Sequence, residues 1–239
     1  MLEKFKDATL NNENVIAFFD DLYEKSLEGI PHVSKPVKEI ASDYLDKNPS
    51  KEEAAKEMLK NQIIKCTTSG VVTGFGGALT LPVTLPANVT SVLYIQMRMI
   101  ACAAEIGGYT LDDDQTRTLI YACLVGASVN EVFKKFGVDF AEKMAIAGVK
   151  KIPGKALIEI NKRLGFRFIT KFGETGLVNL GKLIPGLGAI VNGSFDLVST
   201  KFVANRAYNM FIERKFDAES NKIDAEDVID IDFSEIDED

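Results

Sequence analysis

Hydrophobic positions recur at helical spacing along most of the chain. Between residues 13 and 27, Val15, Ile16, Phe18, Phe19, Leu22 and Leu27 alternate with charged residues, the pattern of a helix with one buried face. Gly29-Ile30-Pro31-His32 stops it. Ser50-Lys51-Glu52-Glu53 reads as a capping box, whose hydroxyl and carboxylate satisfy N–H groups left open by a first helical turn. It opens a helix to about Thr68 that carries Ala54, Ala55, Met58, Leu59, Gln62 and Ile63. Pro86 stands as a first-turn proline before a helix to about Ile106, which Gly107-Gly108 ends. Thr110-Leu111-Asp112-Asp113 reads as a second capping box, and the run Asp112-Asp113-Asp114 suits the positive end of a helix dipole. The helix that follows is predicted to reach about Phe136 and stop at Gly137, with further helices over 138–151, 154–172 and 187–215. Strand-like alternation is confined to Ile229-Asp230-Ile231-Asp232-Phe233.

The centre of the chain is apolar in a different way. Cys66 to Met97 is a run of 32 residues without a formal charge, long enough for a membrane span of about 20 residues. Its content argues against a simple span, because Gly70, Gly74, Gly76, Gly77, Pro82 and Pro86 punctuate it and the two prolines break any helix between them. Two short apolar arms, 66–81 and 87–104, joined by a Pro-pinned bend, describe a helical hairpin. Such a hairpin either forms a protein core or sits re-entrant in one leaflet. Pro185, Gly186 and Gly188 place a weaker version of the same unit ahead of the last helix. The prediction is therefore an all-α, single helical domain built around a Gly/Pro-kinked apolar hairpin. N-terminal helices occupy 1–49, the helical domain 50–216, and a flexible acidic C-terminal tail 217–239.

The segment Gly74-Phe75-Gly76-Gly77-Ala78-Leu79-Thr80-Leu81-Pro82-Val83-Thr84-Leu85-Pro86, the helix to Gly107-Gly108-Tyr109, and Ile184-Pro185-Gly186-Leu187-Gly188-Ala189 together resemble the EcsC family. The resemblance spans roughly residues 50–215. The family pattern carries an acidic residue between the two prolines, where this chain has Thr84. The resemblance implies a bacterial helical protein, cytoplasmic or membrane-associated, and supplies no catalytic residue to carry over.

Charge sharpens the picture. The chain of 239 residues has a formal net charge of −7, but residues 217–239 hold eleven acids and one base, so the rest is mildly basic. Residues 134–171 hold ten Lys or Arg against three acids. Such a block either faces an anionic surface or receives the tail. Within it, Leu157, Ile160, Leu164, Phe168 and Phe172 share one arc of a helix, and Lys155, Glu159, Lys162, Arg163 and Arg167 the opposite arc. With Lys150 and Lys151 ahead of it, this is a basic amphipathic helix of the kind that meets a bilayer interface. Ordinary core packing produces the same stripe.

Chemistry is sparse. One histidine (His32), no tryptophan and three scattered cysteines in apolar surroundings (Cys66, Cys102, Cys123) leave few activated nucleophiles, proton shuttles or metal ligands. Gly176-Leu177-Val178-Asn179-Leu180-Gly181-Lys182 lacks the Ser or Thr and the preceding strand of a P-loop. The Asp112–Asp114 run lacks the rest of a calcium loop. Arg98, Glu105 and Arg206 stand as isolated charges on apolar helices, either partnered in the core or facing water. No cofactor, small-molecule substrate or nucleic acid is expected. The N-terminal residues lack a signal-peptide apolar core, so a cytoplasmic protein, peripheral on the inner face of the membrane, is expected. The leading expectation is a non-enzymatic protein that binds an anionic bilayer through the basic helix and the hairpin. The alternative is a soluble interaction module, a transporter-associated partner or an immunity-type binder, with its apolar segments as core.

Overall fold

The computed structural model describes residues 12–31, 34–67, 87–127, 134, 146–172 and 194–216. They form α1 (Asn12–Glu28), α2 (Val37–Lys47), α3 (Lys51–Thr67), α4 (Ala87–Ile106), α5 (Asp114–Val125), a single turn α6 (Ile146–Val149), α7 (Gly154–Phe172) and α8 (Ser194–Ala207), which runs into a π-helical turn (Tyr208–Ile212). The all-α expectation is met: among the described residues the only β feature is an isolated antiparallel bridge between Ile30 and Ser34.

Helix α4 organises the rest. Every side chain from Thr90 to Ala104 is buried, Thr90, Ser91, Gln96 and Arg98 included, because the segment is predominantly apolar around its circumference and has no broad polar face for water. Helices α1, α2, α3, α5 and α8 and the π turn all pack against it. The arm of the expected hairpin that the structure describes is thus enclosed by protein. The other arm, with Gly74, Gly76, Gly77, Pro82 and Pro86, lies outside the described residues, as do Pro185, Gly186 and Gly188 and the tail 217–239.

The surrounding helices follow their sequence patterns. In α1, Val15, Phe18, Phe19, Leu22 and Tyr23 form the buried face. In α3, Ala54, Ala55, Met58, Leu59, Gln62 and Ile63 are all buried, and Ser50 Oγ accepts a hydrogen bond from Glu53 N at 3.2 Å, as the capping box requires. Helix α2, which the periodicity did not announce, starts after Pro36 without a side-chain cap and contributes Val37 and Ala41 to the same core.

Three expected helix ends move. Helix α5 begins at Asp114, not after Thr110. Residues 110–113 form a turn, closed by Asp113 N donating to Thr110 O, that buries Leu111 and lets Tyr23 Oη donate to Leu111 O at 2.7 Å. That tertiary contact outweighs the local cap. Helix α5 also ends at Val125, well short of Phe136. Gly126 takes φ +70°, its N–H reaches Cys123 O and Ala127 N reaches Ala122 O, the paired closure that satisfies the last carbonyls of a helix. At the C-terminal side, α8 gives way at Ala207 to the π turn. The wider turn narrows the angular spread of Met210, Phe211 and Ile212, so that three consecutive side chains are buried together. Of the helix expected over 138–151, the structure describes α6; most of the remainder lies outside the described residues.

Candidate functional site: the outer face of α7

Helix α7 divides as its sequence pattern predicts. Leu157, Ile160 and Leu164 are buried, and the helix packs against α1 and α5. Burying three such side chains contributes on the order of 5–9 kcal/mol, and pulling α7 away would expose the facing surfaces of α1 and α5 as well. Leu157, Ile160 and Leu164 are therefore core. The polar face is exposed and carries Lys155, Glu159, Lys162 and Arg163, with Lys151 just ahead of the helix. Lys151, Lys155 and Lys162 make no ion pair among the described residues, whereas Arg163 Nε lies 3.8 Å from Glu159 one turn back. The side chains of Arg167, Phe168 and Phe172 lie outside the described set.

Two residues depart from the sequence reading. Lys150 is committed to the fold: its Nζ lies 3.1 Å from an Asp113 carboxylate oxygen and 3.4 Å from Thr110 Oγ1, tying the start of α7 to the turn before α5. Gln115 Nε2 donates to Ile152 O at 3.1 Å and reinforces the same junction. Ile158, which was not singled out, is 61% exposed. On the helical wheel it sits beside Lys155 and Lys162, three and four residues away, so an apolar side chain stands between two ammonium groups. The signal was present in the sequence, since Ile158 is out of phase with the stripe Leu157, Ile160, Leu164.

A second polar cluster joins α1 and α5. Tyr121 Oη donates to Asp20 Oδ1 at 2.7 Å, Arg117 Nη2 donates to Glu24 Oε1 at 2.8 Å, and the Arg117 guanidinium lies 4.9 Å from the centre of the Tyr23 ring. Burial pushes both phenols above their usual range, and the bond to Asp20 pushes Tyr121 up further. They act as neutral donors, Tyr121 to Asp20 of α1 and Tyr23 to Leu111 O in the turn before α5.

The isolated charges on apolar helices find helix ends. Arg206 Nη1 donates to Cys123 O in the last turn of α5, at 3.2 Å. Arg98, only 4% exposed, donates through Nη1 to Ser26 O at 2.8 Å, in the last turn of α1, and through Nη2 to Lys35 O. No carboxylate pairs with Arg98 among the described residues; its charge is met by two main-chain carbonyls, Ser26 O at the negative end of the α1 dipole and Lys35 O in the approach to α2. Glu105 has the opposite fate. It is half-buried in the last turn of α4, where burial raises its pKa, the Lys38 charge lowers it and Asp112 raises it. The folded carboxyl thus holds its proton more tightly than the unfolded one, so stability falls as pH rises through the carboxylate range. Glu105→Gln is expected to raise the melting temperature at pH 7, with the gain shrinking towards pH 4. Thermal melts across that range check it; a loss of stability at pH 7 would contradict this account.

Among the described residues, no three His, Cys, Asp or Glu side chains are grouped to hold a metal ion, and no helix is long and apolar enough to cross a membrane. Together these features define an all-α protein built on an enclosed central helix, with a cationic edge on α7. Residues 49–216 match the EcsC protein family over a span one residue longer at each end than the sequence resemblance, and the chain belongs to that family. No curated protein and no solved structure matches the chain.

Proposed function

We propose that this chain is a non-enzymatic protein that adheres to the anionic surface of a membrane, at its cytoplasmic side, through the outer face of α7. The observation that carries the reading is the exposed row Lys151, Lys155 and Lys162, without ion pairs among the described residues, around an exposed Ile158. Each basic residue near an anionic bilayer contributes about 1 kcal/mol. Lys151, Lys155 and Lys162, with Arg163 offset by Glu159, give on the order of 3 kcal/mol, a reversible and salt-sensitive association. Because Leu157, Ile160 and Leu164 are core, contact in this reading is made by the charged face and not by insertion of this part of the helix. The enclosed α4 leaves membrane seating of a hairpin with no support from the described residues.

Co-sedimentation tests this. Vesicles containing one-third phosphatidylglycerol are expected to retain the protein at 50 mM salt and release it at 500 mM, and pure phosphatidylcholine vesicles to leave it in solution. Lys155→Glu with Lys162→Glu is expected to weaken binding at least about 30-fold. Binding indifferent to both lipid charge and salt would sink the proposal. The second reading, a protein-interaction module, draws on the same enclosure of α4 and of the α7 stripe. It predicts a monodisperse protein without detergent that ignores vesicles of both kinds.

A further inference from the structure

Two large apolar side chains are exposed among the described residues, Leu45 at 40% and Ile158 at 61%. Exposed singly, such residues are ordinary. Their surroundings differ, however. One turn before Leu45 stand Ala41 and Ser42. Ile158 has Lys155 three residues before it and Lys162 four residues after it, both exposed and neither in an ion pair among the described residues. Helical geometry puts these lysines about 60° and about 40° from Ile158 around the axis, and about 10 Å apart along it. Gly154, the other neighbour one turn back, is exposed, and a Cβ placed on it would meet nothing within 4 Å. Ile158 is thus a small apolar spot with open ground beside it and a lysine towards either end of the helix.

The fold holds this spot outward. Leu157 and Ile160 are buried on the opposite side of the helix, so a rotation that hid Ile158 would draw both out of the core. The start of α7 is tied down by Lys150 to Asp113 and by Gln115 to Ile152 O. Whatever binds Lys155 and Lys162 therefore meets Ile158 as well. A soluble polyanion offers the lysines charge and offers the isoleucine nothing. A bilayer offers both, in layers: phosphates outermost, and the glycerol and first methylene groups just beneath.

Resting on the reading of α7 as the adhesive face, we propose that Ile158 is the residue by which this face selects a lipid surface over soluble polyanions. Lys155 and Lys162 meet headgroup phosphates, and the Ile158 side chain passes between them to the level of the glycerol groups. Leu157, Ile160 and Leu164 stay in the core throughout. The lysines are drawn to any dense negative charge, whereas burial of the isoleucine is gained only where an apolar layer lies under that charge.

The chain contains no tryptophan, so Ile158→Trp places a single indole at this point. On vesicles with one-third phosphatidylglycerol its emission is expected to move about 10 nm to the blue and to be quenched by lipid brominated near the top of the acyl chains. With polyphosphate bound instead, the emission should stay where it is in the free protein. A second arm uses Ile158→Gln, an exposed change to a residue that is at least as good a helix former. Its circular dichroism and melting temperature should match the parent's. It is expected to bind the same vesicles about fivefold more weakly and to bind polyphosphate as the parent does. An unshifted indole on vesicle-bound protein, or equal vesicle binding by the parent and Ile158→Gln, overturns the role of Ile158 and leaves membrane adhesion standing. An equal loss of polyphosphate binding in Ile158→Gln also overturns it, because the isoleucine would then be acting through the placement of the lysines. A parent that binds polyphosphate and ignores the vesicles overturns membrane adhesion and this proposal together, and assigns the face to a soluble polyanion.

Discussion

Arg98→Ala is expected to cost about 3–5 kcal/mol of folding stability. The side chain sits in the middle of the most enclosed helix and holds two segments at once, the last turn of α1 through Ser26 O and the approach to α2 through Lys35 O. Its neighbour Tyr94 extends the clamp, since the Tyr94 and Ser34 hydroxyls lie 3.1 Å apart and Ser34 Oγ accepts from Ile30 N at 2.9 Å. Truncation leaves two carbonyls without their charged donor, at about 1–3 kcal/mol each, and opens a cavity beside Tyr94. Removing a buried cation offsets part of that loss. Arg98→Met keeps most of the volume and is expected to recover about 1–2 kcal/mol of the alanine cost. Urea unfolding followed by circular dichroism reads both. A loss below about 1 kcal/mol for alanine would mean that Arg98 does not clamp the loop.

Gly29→Ala is expected to cost about 3 kcal/mol. Gly29 ends α1 at φ +78°, where an L side chain is strained by about 1–2 kcal/mol. A Cβ there would also lie 2.3 Å from Ser34 O and 2.8 Å from Lys35 O, both backbone atoms that cannot rotate away. The loop would have to shift, and Lys35 O, which Arg98 holds, would shift with it. The double variant Gly29→Ala with Arg98→Ala should therefore lose less than the sum of the two single losses, by at least about 0.5 kcal/mol. Strict additivity would show that the glycine and the arginine act on separate features.

Much of this architecture could be read from periodicity, and the exceptions share a cause. Helices α1 and α7 declare themselves by their apolar spacing, α3 by its spacing together with its cap, and α4 by an uncharged run bounded by Pro86 and Gly107-Gly108. Helix α2 is short, largely charged and preceded by a proline with no capping side chain; Val37, Ile40, Ala41 and Tyr44 were its only signal. The turn at residues 110–113 satisfies the local rule for a cap, yet the buried Leu111 and its bond from Tyr23 decide the backbone, and that partner is 88 residues away. Gly126 could have marked the end of α5, but nothing local distinguishes it from a glycine inside a helix. For the α7 face, the lysines were legible as exposed because the stripe opposite them needs a core. The commitment of Lys150 was not, since Thr110 and Asp113 come from another element. Arg98 was visible as a charge in an apolar helix, but its acceptors are main-chain atoms, which no residue pattern encodes.

Helix α4 is a shared wall for elements that precede it by up to 75 residues and for others that follow it by as many as 106 (Asn12 and Ile212 being the outermost). During synthesis, the stripes of α1, α2 and α3 emerge before the surface that will cover them. A ribosome that has released only the first third of the polypeptide carries bare Phe18, Phe19, Leu22 and Met58, and the last side of the wall closes only when Phe211 arrives. The protein should therefore acquire its protease resistance late and abruptly, and stalled or shortened translation products should be clients of chaperones.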